Sequence, residues 1–353
     1  MIRTELETFT DEYGNARGDI IQEDSLIKEF NEKIENTNFH IYGLYGGWGT
    51  GKTTFVKLWE RRVDGNKNSV IHIDAFEKDY IQDPFGILFS AFKKFMKDNG
   101  ISQSDAKGLI DCAKKVAFAS LKGMGTVLIN RFIGEENLKV FADSFLDNFD
   151  YNIKDNEVDI CEELKDSLKK ILEKTGGKKL YIVIDELDRC RPDFALEMLE
   201  RIKHIFAIDG VKFVLVYNPI LFKGIVMKKY GCLSEESESY FSKFIEYEIP
   251  FSVNQKLREY IDYEVGVLSN QGCLLDSNVV GYIRGFSSSI AKVLSYYGVF
   301  SLRQISKFIS SVKILEDYGD TINVKFSLAI CLLKMINKEE CDGIIDYLRK
   351  NNN

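Results

Sequence analysis

The sequence predicts an α/β fold of three layers, in which helices cover both faces of a mostly parallel sheet, followed by a C-terminal helical lid. Apolar runs of strand length alternate with helically spaced stretches from residue 41 to residue 218. A glycine-rich turn joins the first of these runs to a helix, and after Pro250 the patterns become helical throughout. We therefore divide the chain into a core over 1–250 and a helical domain over 251–353.

The core elements follow from local signals. A serine cap and helical apolar spacing open the first helix, β-branched runs mark the strands, and Pro84 and Pro192 each begin a helix, where a missing N–H costs nothing. The predicted elements, in chain order, are a helix over 25–34, a strand at 41–45, a helix after Lys52, a strand over 69–76, a helix from Pro84, a helical insertion over about 100–155, a strand over 178–186, a helix over 192–202 and a strand over 211–218.

The insertion contains a long and largely apolar stretch, residues 109–129. A membrane crossing needs about 20 consecutive apolar residues, whereas Lys114, Lys115 and Lys122 interrupt this stretch. We predict an amphipathic helical insertion with no transmembrane segment; a peripheral membrane contact stays open as the alternative.

A phosphate-binding motif lies between the first strand and its helix. Residues 46–53 fit the pattern G-x-x-x-x-G-K-[ST], a P-loop whose backbone N–H groups surround phosphate oxygens at a helix N-terminus. We expect Lys52 to reach the β- and γ-phosphates and the Thr53 hydroxyl to bind Mg²⁺. The predicted ligands of Mg²⁺ and ATP in this segment are Gly46, Gly47, Trp48, Gly49, Thr50, Gly51, Lys52, Thr53 and Thr54.

Two carboxylates end the strand that follows the insertion. This apolar run terminates in Asp185 and Glu186, the arrangement of a Walker B strand, in which the first residue holds Mg²⁺ through water and the second activates the attacking water. Asn218 ends the next strand, and either senses the γ-phosphate or serves as a turn residue before Pro219. The sequence therefore predicts Asp185 as a metal residue and Glu186 and Asn218 as catalytic residues.

Composition limits the other function classes. The 353 residues carry a net charge of −7, which does not favour a chain that coats DNA by charge, although a local basic patch stays open. The seven cysteines form no C-x-x-C pair and indicate reduced thiols. The N-terminus is polar and lacks the apolar region of a signal peptide, so we expect a cytoplasmic protein.

These motifs together resemble the KAP family of P-loop NTPases. The resemblance spans about residues 19–312 and rests on segments within and beyond the two nucleotide motifs. Those segments are the tryptophan-containing P-loop over 46–53, the Walker B stretch over 184–192, and the stretches over 72–76, 240–250 and 301–308. Three positions depart from the family pattern: Glu186 and Asn218 stand where the family often has Asp, and Phe76 stands where it has Trp. None of the three removes a phosphate or metal ligand.

The resemblance implies an ATPase that serves as a switch or mechanical module in bacterial defence against phages or plasmids. The resemblance also includes a late helix that contains Arg303, which we expect either to contact ATP from the helical lid or to be an ordinary surface arginine. Arg189 and Arg191 are the other candidates for an arginine finger, in cis or in trans, and we interpret Arg189 as structural or subunit-facing. A homo-oligomer or an effector protein is the expected partner. The rival hypothesis is a nucleotide-binding interaction scaffold with negligible turnover.

Overall fold

A computed structural model describes most of the predicted core. It covers 24–81, 84–120, 157–231, 240–251 and 257–270, with short stretches at 9–10, 16–17, 285, 287–294, 302, 304–305, 307–309 and 331–335. Arg303 and the part of the insertion after residue 120 lie outside the described residues.

A five-stranded sheet forms the centre of the fold, with the strand order β4-β5-β6-β3-β7. β4 pairs in parallel with β5, and β5 with β6. Glu246 donates to the Ile41 carbonyl and Phe251 to that of Tyr45, so β7 also runs parallel to β3. The strands are β3 (Ile41–Tyr45), β4 (Asn68–Asp74), β5 (Lys179–Asp185), β6 (Val211–Tyr217) and β7 (Tyr247–Pro250), preceded by a small antiparallel pair, β1 (Phe9–Thr10) and β2 (Ala16–Arg17).

Helices connect the parallel strands, which confirms the predicted α/β class. The helix before the second nucleotide motif ends at Lys174, and Pro84, Pro192 and Pro219 each occupy the first residue of a helix. In the part of the chain that the structure describes, the helices are α1 (Asp24–Asn36), α2 (Lys52–Arg62), α3 (Ala75–Lys78), α4 (Pro84–Asp98), α5 (Gln103–Ser120), α6 (Glu157–Lys174), α7 (Pro192–Arg201), α8 (Pro219–Tyr230) and α9 (Leu257–Asn270). None of them is long and apolar enough to cross a membrane.

The strand predicted over 69–76 ends earlier, at Asp74. Ala75 and Phe76, predicted as strand residues, belong to α3 instead. The Asp74 carboxylate caps this helix by accepting a hydrogen bond from the Glu77 backbone N–H at 2.9 Å, which satisfies a donor that the first turn leaves without a helical partner. The strand was predicted too long because the apolar pattern continues through Ala75 and Phe76, beyond the capping residue Asp74.

A π-helical turn over Ile202–Phe206 continues α7. The Ala207 N–H donates to the Ile202 carbonyl at 2.9 Å, five residues back. Ile202, the last residue of the helix predicted over 192–202, is fully buried and belongs to this turn. Phe206 is also fully buried, and its ring stacks on Phe92 with centroids 5.2 Å apart. The π turn thus supplies aromatic core to the helices beside the sheet.

The chain divides into two compact units. One contains Ile34–Leu44 and Arg62–Ile249, and with them most of the sheet. The other contains Thr4–Lys33, Tyr45–Arg61 and Pro250–Asn353, so the P-loop segment is grouped with the C-terminal part of the chain. In this second unit, the rings of Phe30 and Trp59 meet edge to face with centroids 5.2 Å apart. The domain boundary at residue 250 stays a prediction.

Candidate functional site

The glycine-rich segment forms a tight turn between β3 and α2. Gly49 and Gly51 adopt φ angles of 72° and 97°, which favour glycine because a side chain is strained there. The Gly51 carbonyl accepts a hydrogen bond from the Phe55 N–H at 2.9 Å, the spacing of an α-helix. The turn therefore leads directly into the N-terminus of α2, where unpaired N–H groups favour an anion.

Gly46, the first glycine of the motif, lies against the backbone of the chain after β7. A Cβ at this position would come within 2.7 Å of the Phe251 carbonyl oxygen. Phe251 is fixed there because its N–H donates to the Tyr45 carbonyl at 2.7 Å. The close approach explains a glycine at this position independently of any phosphate.

The Lys52 side chain folds back over the turn. Its ammonium donates to the carbonyl of Gly46 at 2.9 Å and to that of Gly47 at 2.8 Å. The Thr50 hydroxyl donates to the same Gly47 carbonyl at 2.9 Å. Thr53 and Thr54 are half-buried at the start of α2, whereas the Trp48 side chain is 57% exposed. The turn is thus already shaped around a positive charge.

One residue of the late helical region touches the same turn. The Leu302 N–H donates to the Gly49 carbonyl at 2.7 Å. A Cβ on Gly51 would lie 3.1 Å from the Leu302 Cδ1 atom. Leu302, the residue before Arg303 in the sequence, therefore contacts the turn.

The predicted carboxylates lie at the carboxyl end of β5 in the sheet unit. Asp185 is only 3% exposed, and its Oδ1 accepts from the Glu186 N–H at 2.8 Å. Its Oδ2 lies 3.7 Å from Nε2 of His72, and Asp74 is its register partner on β4. A buried carboxylate at this edge of a parallel sheet is suitably placed to hold a metal ion through water.

Glu186 has an unusual backbone and an unusual pKa. With φ 59° and ψ 24° it is the non-glycine residue with positive φ among the described residues. The pKa of its carboxyl is raised to about 7, mainly by burial; the Arg189 guanidinium opposes this shift, and the negative charges of Asp185 and Asp188 add to it. Nε of Arg189 forms an ion pair with Oε2 of Glu186. A carboxyl with this pKa can take up a proton near neutral pH.

Asn218 caps α8. Its Oδ1 accepts a hydrogen bond from the Ile220 N–H at 3.0 Å, and its own N–H donates to the Asp188 carboxylate at 3.2 Å. The capping contact is the turn chemistry that the sequence left open as the alternative to phosphate sensing. The Asp188 contact links the end of β6 to the segment after the Walker B strand.

Arg191 lies in a different environment from Arg189. Arg191 binds Asp79 through its backbone N–H at 2.7 Å and its Nε at 3.2 Å. Sequence reasoning did not identify His72, Asp188, Phe251 or Leu302 as neighbours of the site. Each belongs to an ordinary strand or helix pattern, so only the three-dimensional arrangement indicates its role.

The residues present fit Mg²⁺ and a nucleotide triphosphate. Asp185 and Thr53 offer the oxygen ligands that Mg²⁺ prefers. Lys52, now held by backbone carbonyls, can exchange those contacts for phosphate oxygens of higher charge. The structure brings Asp185, Glu186 and Arg189 together in one unit and the P-loop segment with Leu302 in the other.

Comparison with known proteins adds a family match. A model of the KAP family P-loop domain matches residues 23–318. A search of curated proteins finds no match. Among solved structures, that of C. elegans PCH-2 aligns at 13% identity with a TM-score of 0.35, over 91% of this chain and 66% of that chain. This chain therefore spans just under two thirds of that protein's length.

Proposed function

Because this chain belongs to the KAP family of P-loop NTPases, we propose that it binds Mg²⁺-ATP and hydrolyses it to ADP and phosphate, as a switch or mechanical module. The observation that carries the proposal is the Lys52 ammonium, held by two carbonyls of a glycine-rich turn at the N-terminus of α2. A lysine, a helix N-terminus and a glycine-rich turn in one place are typical of a site that binds the phosphates of a nucleotide.

In the proposed mechanism, Lys52 leaves the Gly46 and Gly47 carbonyls and binds the β- and γ-phosphate oxygens of ATP. The N–H groups of residues 46–54 bind the remaining phosphate oxygens. Thr53 and Asp185 would hold Mg²⁺, which would supply positive charge to neutralise the phosphates.

Glu186 is the proposed general base. Its carboxylate accepts a proton from the attacking water as the water oxygen forms a bond to the γ-phosphorus and the bond to the leaving ADP oxygen breaks. Burial, and after it the negative charges of Asp185, Asp188 and Asp74, raise the pKa of this carboxyl and so its basicity. Asn218 caps α8 with its oxygen, so we assign any sensing of phosphate to its amide nitrogen.

We also propose that Arg303 contacts the γ-phosphate of ATP and thereby couples the nucleotide to the helical lid. Its neighbour Leu302 donates a backbone hydrogen bond to Gly49 of the P-loop, which supports this assignment. If Arg303 contacts ATP but not ADP, the two nucleotides favour different positions of the lid, because a ligand shifts a conformational equilibrium only by its difference in affinity for the two states. In Arg303→Ala we expect a smaller ATP-over-ADP preference by calorimetry, and an unchanged ratio would contradict the assignment.

Two variants test the ATPase. Lys52→Ala should abolish ATP binding, because the charge that pairs with the phosphates is lost. Glu186→Gln should keep binding and slow hydrolysis by about 10²- to 10⁴-fold, the usual contribution of a positioned base. Radiolabelled ATP turnover and calorimetric affinity measure the two effects. Wild-type turnover in Glu186→Gln would contradict the base assignment.

The interaction scaffold remains the second candidate, supported by the capping role of Asn218, which removes its oxygen from catalysis. A scaffold predicts nucleotide-dependent assembly without turnover. Sizing the purified protein by light scattering with ATP, with ADP and without nucleotide separates the two, since an ATPase switch cycles between states only while ATP is consumed.

We propose a role in defence against phages or plasmids on the family membership alone. Phage plating on cells that carry the wild-type gene or Lys52→Ala tests it. We expect fewer plaques with the wild type only. Equal plaque numbers on both strains would contradict the defence role and would not test the proposed ATPase activity.

A further inference from the structure

We propose that Arg189 is a positioning residue for the catalytic base, an inference that rests on the proposed ATPase function. The two side chains belong to one short segment, in which a single 3₁₀ turn over Leu187–Arg189 follows Glu186. Nε of Arg189 pairs with Oε2 of Glu186. The Arg189 N–H also donates to the Glu186 carbonyl at 3.1 Å.

The geometry of Glu186 explains why its side chain needs a fixed partner. Its positive φ directs the chain sharply from β5 into the 3₁₀ turn, and its neighbour Asp185 uses Oδ1 to accept the Glu186 N–H. The backbone is thus held, but a glutamate side chain still rotates about three bonds. The ion pair restricts that rotation by binding Oε2, which leaves Oε1 as the oxygen that accepts the proton from water.

The pair is also shielded from water. The side chains of Arg189 and Glu186 are 30% and 22% exposed, so the contact is screened less than a surface ion pair. A short connection within one turn adds little entropy cost, because the backbone already brings the two residues together. Arg189 therefore acts on the reaction through Glu186.

Arg191 provides the internal comparison. It lies two residues further on, yet it binds Asp79 with its backbone N–H and its guanidinium, and so connects α3 to the start of α7. A loss caused by removing Arg191 should be independent of the base. Removing Arg189 and removing Arg191 should therefore have different effects on turnover when Glu186 is absent.

A double-mutant cycle tests the proposal. Arg189→Ala should lower the single-turnover rate of ATP hydrolysis by up to about 10²-fold, the effect of a misplaced catalytic group, with the affinity for Mg²⁺-ATP unchanged. Arg189→Lys should recover part of the rate. In the Glu186→Gln background, Arg189→Ala should cause no further loss, since no base remains to be positioned. Arg191→Ala, the control, should cause the same fold-change in both backgrounds.

Other outcomes overturn the inference. An equal loss from Arg189→Ala in both backgrounds would show that Arg189 acts on the phosphates or a neighbouring subunit directly. A change of oligomeric size, or of the unfolding temperature in both Arg189 variants, would make it a structural residue. A wild-type protein that binds ATP without turnover overturns the proposed ATPase and this inference with it, whereas turnover with equal losses overturns the inference alone.

Discussion

At the scale of single residues, the Glu186 carboxyl has a pKa that leads to a pH dependence of activity. Burial raises this pKa from its usual value of about 4.3 to about 7. A base works only when ionised, so we expect kcat/KM to fall about tenfold per pH unit below 7 and to level off above it. The measurement is steady-state turnover between pH 5.5 and 8.5.

A matched variant tests whether Glu186 causes the decrease in activity below pH 7. Glu186→Gln carries no titratable group at this position, so its residual turnover should lose the decrease below pH 7. If the wild-type decrease instead begins near pH 5, the carboxyl is more solvated than the structure indicates. If the variant keeps the decrease, another group is responsible.

Gly46 should be sensitive to a single methyl group, while its neighbour should not. A Cβ at Gly46 meets the Phe251 carbonyl at 2.7 Å, whereas a Cβ at Gly47 meets the Thr50 methyl at 3.4 Å, an ordinary contact. We expect Gly46→Ala to lower the free energy of unfolding by about 1–3 kcal/mol, the usual cost of overpacking. Gly47→Ala should change it by less than about 0.5 kcal/mol. Urea unfolding without nucleotide measures both, and equal effects would contradict the close approach.

Residue types predicted part of the candidate site. Lys52, Asp185 and Glu186 were identified because each occupies a fixed position in a nucleotide-binding motif that lies at the end of a predicted strand. Arg189 was interpreted as structural or subunit-facing because spacing does not say which carboxylate a guanidinium binds. Which groups a side chain contacts depends on the angle at which neighbouring segments meet, and composition and periodicity do not encode that angle.

At the scale of elements, the cap of α3 makes the next prediction. Asp74→Ala removes the oxygen that accepts the Glu77 N–H and should cost about 1 kcal/mol of unfolding free energy. Asp74→Asn retains a capping oxygen and should cost much less. Urea unfolding of both variants provides the measurement, and equal losses would indicate that the carboxylate charge matters more than the cap.

The elements themselves followed the sequence closely where a boundary residue was present. Pro84 and Pro192 begin helices in the sequence and in the structure, because proline is tolerated in a first turn. The end of β4 was wrong by two residues, since Ala75 and Phe76 continue an apolar run through the cap. Hydrophobic patterning locates an element more reliably than its last residue.

At the scale of the whole molecule, a hydrogen bond links the P-loop to the late helical region. Leu302 donates to the Gly49 carbonyl, and both belong to the same compact unit. Nucleotide binding fixes the P-loop, so we expect Mg²⁺-ATP to slow amide exchange at Leu302. Hydrogen exchange followed by mass spectrometry measures it, with Lys52→Ala as the control that should show no change. Unchanged exchange at saturating ATP would mean that the two segments open independently.

The π turn at Ile202–Phe206 has a consequence for how this sequence can vary in length. A π turn contains one residue more than an α-helical path between the same ends, and it is a common result of a single insertion. Lys203 and His204 are exposed, so deleting one of them would shorten the π turn to the α-helical path and leave Phe206 against Phe92. Relatives with one residue fewer in this turn can therefore keep the same aromatic core, and a deletion here would act as a surface change.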